Sequence, residues 1–215
     1  MFPNALDGIK KIRTAELLVL ITAVIALVLG GLTLGAGRSN NTDVINGATV
    51  AGAGVLGVIS AVLLLVAFIL DLIGLSRASK DEKSFKNALM LTLAGIVLSV
   101  VTGALTKNAT VSAIISTVND LISVAVFVMV VRGIMNLAGK LDREDIQKKG
   151  AGLIKTMAAV YVLGIIAALV ATLLQRNQTT LTIAGILLIV SGVLEIIVFL
   201  TYFGYLGKAV KMLEK

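Results

Sequence analysis

The sequence predicts an all-α, polytopic membrane protein: six transmembrane helices arranged as three two-helix hairpin repeats, with both termini cytoplasmic. Three observations predict this. The apolar residues fall in six long runs, the basic residues collect on alternate connections, and a two-helix pattern recurs three times.

Of the 215 residues, 58% are hydrophobic and only 14% are charged. A soluble domain keeps about a quarter of its residues charged to cover its surface, and that cover is missing here. The runs extend from Ala15 to Ala36, Ala48 to Leu75, Ala88 to Leu105, Val111 to Leu137, Leu153 to Leu174, and Leu181 to Leu206. Each can cross about 30 Å of hydrocarbon at about 1.5 Å per residue. Helix is the expected conformation, because a barrel needs short alternating strands and these segments are continuously apolar. The first ten residues are not expected to be a cleavable signal. Lys10, Lys11 and Arg13 precede a span too long for a signal core, without a small-residue cleavage site. Length allows one compact domain, residues 1–215, with repeat units of about 10–80, 85–145 and 150–212.

Sidedness follows from the charges. Sixteen of the nineteen Lys and Arg residues lie on the amino terminus, the connections before the third and fifth spans, the adjoining helix ends and the carboxyl tail. The opposite side holds only Arg38, Lys107 and Arg176. Cytoplasmic loops retain basic residues, so the rich side is assigned to the cytoplasm of a cell membrane. The same asymmetry accounts for the net charge of +7 as topology, and nucleic acid is not an expected partner.

The second helices of the three units read SAVLLLVAF from Ser60, NDLISVAVF from Asn119 and SGVLEIIVF from Ser191. Each places a polar residue eight positions before a phenylalanine: Phe68, Phe127 and Phe199. Each outer connection carries Asn-x-Thr, ending at Thr42, Thr110 and Thr179. These threonines suit helix N-caps better than glycosylation, because each sits against a helix start. A two-helix unit returns the chain to its starting side. Successive units therefore share one orientation, unlike the inverted repeats of many transporters. Mitochondrial carriers also contain three helix pairs, but their recurrent Pro-x-Asp/Glu signature is absent, the only proline being Pro3.

The linker LSRASKDEKSFKNAL, set between apolar spans, resembles those of small, uncharacterised prokaryotic multi-span membrane protein families. The resemblance covers about half of the chain and implies no activity.

Glu195 is the sharpest chemical feature. It lies about 21 Å of helix from Leu181 and about 15 Å from Tyr205. An ionised carboxylate at that depth costs at least a few kcal/mol, so it should face the bundle with a partner or stay protonated. Ser123 is placed at similar depth, with Tyr161 and Ser99 within about a turn. This set is either a proton or cation site or a hydrogen-bonded helix fastener worth about 1 kcal/mol. Asp71 and Arg132 differ in depth by about 3 Å and form a candidate interfacial ion pair, with packing as its expected role. Arg13 precedes Glu16 by about one helical turn. Asn119 and Asp120 could line an outer vestibule, or fasten helices. Gly95, Ser99 and Gly103 form a small-residue face, and Gly31 with Gly35 and Gly164 with Ala168 repeat the spacing. The charged run LDREDIQKK reads as a solvated linker or a short helix.

The chain has no cysteine and no histidine. Disulfides, thiolate chemistry and imidazole catalysis are therefore excluded. No metal site or cofactor is expected, and neither is an enzyme, because no nucleophile–base constellation is present. Two function classes remain. One is a transporter or channel for an ion or small solute that uses the embedded Glu195. The other is a non-enzymatic membrane scaffold or accessory subunit acting through helix packing and a basic cytoplasmic face. Expected partners are the lipid bilayer and either further copies of the chain or another membrane protein.

Overall fold

A computed structural model describes residues 2–36, 42–105, 109–173 and 178–214, with side chains described outside 27–53, 101–114, 116, 166–189 and 191. The described residues form six α-helices: α1 (Pro3–Ala36), α2 (Thr42–Ala78), α3 (Lys83–Leu105), α4 (Ala109–Lys140), α5 (Glu144–Leu173) and α6 (Gln178–Leu213). Among the described residues, α2, α3, α4 and α6 each contain a segment long and apolar enough to cross a membrane. The Asn-x-Thr segments at 40–42, 108–110 and 177–179 reach outside the described side chains, as do Gly31, Gly35, Gly103 and Ala168.

The helices overrun the apolar stretches at the basic end. Pro3 opens α1, a position where its missing amide costs nothing. The connection around SRASKDEKSFKN shrinks to residues 79–82, and most of LDREDIQKK becomes the first turns of α5. Charge does not oppose helix here. Glu144 and Asp145 occupy the first turn of α5, where the helix dipole favours acids, while Arg77 and Lys140 occupy the last turns of α2 and α4. A two-bond carboxyl cap closes α4. The amide of Arg143 donates to the Ala138 carbonyl at 2.8 Å, and that of Asp142 donates to Gly139 at 3.3 Å. Asp142 takes the left-handed conformation this cap requires, with φ 52°.

Each helix packs most extensively on its hairpin partner, α1 on α2, α3 on α4 and α5 on α6. Further contacts of α2 with α3, α4 with α5 and α6 with α1 close the six into a ring. Between apolar helices in lipid there is little hydrophobic drive, so close approach and polar links must hold them. The α1–α2 pair shows this. A Cβ on Gly8 would fall 2.5 Å from the Gly74 carbonyl oxygen, and one on Gly74 would fall 2.7 Å from that of Gly8. The two backbones touch.

The fully buried side chains among those described gather where the amino end of α1, the two short turns and the carboxyl end of α6 meet. They include Ile9, Ile12, Leu75, Phe85, Ile134, Leu137 and Leu206. Phe85 lies on Gly133, where a Cβ would come within 2.8 Å of its ring. Polar ties lock the same end. Asp81, in the turn between α2 and α3, accepts from the Ala5 amide at 2.8 Å and from Asn4 Nδ2 at 3.0 Å, which caps α1 from the far end of its partner helix. Arg77 bonds Asp7, and Lys10 pairs with Glu214 at 2.8 Å. Away from this end the outward faces are apolar; Val58, Val97 and Val100 are all more than 60% exposed. Water would penalise such faces, and lipid chains would not.

Candidate functional site

The backbone contact at Gly8 and Gly74 sets the register of the first hairpin, and that register brings two carboxylates together. Glu16 lies eight residues after Gly8 on α1, and Asp71 lies three residues before Gly74 on α2. Both line one groove of about 260 Å³, whose other walls are Ala15, Val19, Leu64, Ala67 and Phe68. Each carboxylate is half-buried, and Glu16 feels the charge of Asp71. Two like charges in an apolar groove oppose each other's ionisation, and a proton or cation between them removes that penalty.

Tyr202 of α6 stands behind the pair. It is 5% exposed, its ring packs on Phe127 at 4.8 Å between centroids, and its hydroxyl lies in the field of both Glu16 and Asp71. No hydrogen bond to that hydroxyl is formed among the described residues. Arg13 does not serve as counter-ion to Glu16. Its guanidinium lies over the Phe203 ring, 5.1 Å from the centroid, and against Gly207.

The residues singled out from sequence are distributed more widely. Glu195 is exposed on α6, in a stretch where Val193, Ile196 and Ile197 are also exposed. Ser123 is exposed on α4 and donates to the Asn119 carbonyl at 3.0 Å within its own helix. Tyr161 is half-buried on α5. Ser99 joins Asn119 instead: Asn119 Nδ2 donates to Ser99 Oγ at 2.9 Å, while Ser99 donates to the Gly95 carbonyl. This link fastens α3 to α4 where Gly95 leaves room, a Cβ there lying 3.3 Å from Ile122. Asp120, beside it, is exposed. Asp71 and Arg132 are not brought together. Their helices α2 and α4 do not pack on each other among the described residues, and Arg132 is exposed on α4.

Depth along the membrane normal does not reveal the Glu16–Asp71 pairing, because it says nothing of the direction each side chain takes around its helix. The available signal was Gly8 and Gly74, small residues in antiparallel register on consecutive helices. Among the described residues no group of three acidic side chains is placed to hold a metal ion. Comparison with protein-family models, curated proteins and solved structures returns no match to this chain. The four long apolar helices found among the described residues are compatible with an integral membrane protein in contact with lipid.

Proposed function

We propose that this protein is a six-span, non-enzymatic transporter or channel that moves a proton, small cation or small solute through protonation or cation binding at embedded carboxylates. The observation that carries the reading is the Glu16–Asp71 pair on two helices in backbone contact. Glu16 and Asp71 lie one and four residues inside the basic ends of their apolar stretches, and ionisable groups buried between membrane helices are expensive and mark ion or proton pathways. Glu195 is the third carboxylate of the pathway, about 12 residues of helix outward from Gly207, where Arg13 rests. The three hairpins descend from a triplicated unit, and both termini face the cytoplasm, as the crowding of Lys and Arg at one end supports.

The test is flux in liposomes holding the purified protein, with a pH-sensitive dye inside and an imposed potassium diffusion potential. Wild-type protein is expected to dissipate the gradient. Glu16→Gln with Asp71→Asn should abolish that flux, and Glu195→Gln should lower it. Unchanged flux in the double variant overturns the carboxylate mechanism.

A second reading, a scaffold or accessory subunit, has its own support. The basic end is filled by Phe85, Ile134, Leu137 and Leu206, and the grooves open outward between helices. It predicts no flux of any ion in liposomes and a complex larger than the chain itself when native membranes are solubilised in mild detergent.

A further inference from the structure

A second groove, independent of the acidic pair, runs between α5 and α6 at the basic end. It has a volume of about 300 Å³, with Lys149 and Lys208 in its lining at the end nearest the turn before α5. Lys149 lies four residues before the fifth apolar stretch, and Lys208 lies two residues after the sixth. Both ammonium groups therefore sit at the level where hydrocarbon gives way to headgroups. Both side chains are exposed, and neither forms an ion pair among the described residues. Asp145, whose charge Lys149 feels, is already bonded to Arg143 at 3.0 and 3.2 Å. The larger groove between α2 and α3 differs, because its Arg77 is taken by Asp7.

Below the lysines the walls change character. Leu153 and Leu200 are apolar, and Gly204 contributes no side chain, with open space where its Cβ would stand. Thr201 uses its hydroxyl proton on the Ile197 carbonyl at 2.7 Å, leaving only an acceptor. Tyr205 forms the inner wall; its hydroxyl is buried against Gly150 and has no hydrogen-bond partner. We propose that this groove binds an anionic phospholipid, its phosphate between Lys149 and Lys208 and an acyl chain lying past Gly204 between Leu153 and Leu200. Two cations beside an apolar slot match an amphiphile with one negative head, and a free phosphate would leave the slot empty.

The experiment titrates detergent-solubilised full-length protein with phosphatidylglycerol, with phosphatidylcholine of the same chains, and with inorganic phosphate, reading the thermal unfolding temperature by circular dichroism. Phosphatidylglycerol is expected to raise it saturably, and the other two are not. Lys149→Ala with Lys208→Ala should weaken the apparent affinity by roughly tenfold or more. Gly204→Phe, which fills the slot where nothing else stands, should remove the response with both lysines present. Lys148→Ala, which removes a charge paired with Glu144 on the same turn, should leave it intact. An equal response to phosphatidylcholine, or its retention in both groove variants, overturns the proposal. An equal response to inorganic phosphate overturns the lipid assignment.

Discussion

Lys140 Nζ lies 2.7 Å from Glu82 Oε2 and ties the carboxyl end of α4 to the turn between α2 and α3. Asn136, one turn earlier on α4, donates to the other oxygen of Glu82 at 3.0 Å, so one carboxylate binds α4 to the turn through both of its oxygens. Burial alone would favour the neutral acid, but the bonds from Lys140 and Asn136 and the Lys140 charge outweigh it. They hold Glu82 below its ordinary value of 4.5.

Glu82→Gln should therefore lower stability at neutral pH by about 1 kcal/mol, the scale of one net hydrogen bond. The folded-state value is depressed, so the stabilisation is complete above the unfolded-state value of 4.5 and is lost as pH falls through the lower folded value. Thermal unfolding of wild type and variant should differ at pH 7 and converge in acid. A difference that persists unchanged through the acid range would contradict this account.

Gly8→Ala should separate the first hairpin. The new methyl would stand 2.5 Å from a backbone oxygen that cannot rotate away, so α1 must shift. A loss of about 1–3 kcal/mol is expected, in the range of overpacking. Gly152→Ala is the control: nothing lies within 4 Å of its Cβ, and it should be neutral or stabilise α5 by up to about 1 kcal/mol. Chemical unfolding of both variants in detergent measures the contrast. Equal effects would mean that the helices do not touch at Gly8.

Asp142→Gly should stabilise the α4–α5 turn by about 0.5 kcal/mol, because glycine adopts a positive φ without a steric cost. Asp142→Val should cost more than about 1 kcal/mol for the opposite reason. Melting temperatures that move in one direction for both substitutions would rule out the left-handed cap.

Asn119→Ala should weaken the α3–α4 interface by about 0.6–1 kcal/mol, the usual worth of an interhelical hydrogen bond in a membrane. Adding Ser99→Ala should cost little more, since the partner is already lost. A double-mutant cycle on unfolding free energy decides this, and strictly additive effects would exclude the bond.

Much of the helical order was legible from the sequence, and the reason is physical. Hydrocarbon thickness imposes a minimum run of apolar residues, and six such runs appear as six helices. Helix ends were not legible, because Lys83, Lys86 and the EDIQKK stretch are good helix formers that continue the spans into water. Side-chain pairing failed for a different reason. Depth along the membrane normal follows from residue number, but direction around each helix depends on packing. Asp71 was matched in depth to Arg132, yet its helix packs against α1 and α3 and turns it toward Glu16. Ser99 and Asn119 show the converse: the Gly95 spacing marked a close interface, and the hydrogen bond lies there.

The join between α6 and α1 has a consequence for how the chain is made. Lys10 waits for Glu214, and Arg13 waits for the ring of Phe203. A ribosome delivers the first hairpin into the bilayer well before either arrives, so one flank of α1 stands open during synthesis with a guanidinium at its edge. Whatever shelters a nascent membrane chain must cover that edge until the sixth helix is threaded. A nascent chain halted before residue 203 should remain bound to insertion factors or be degraded.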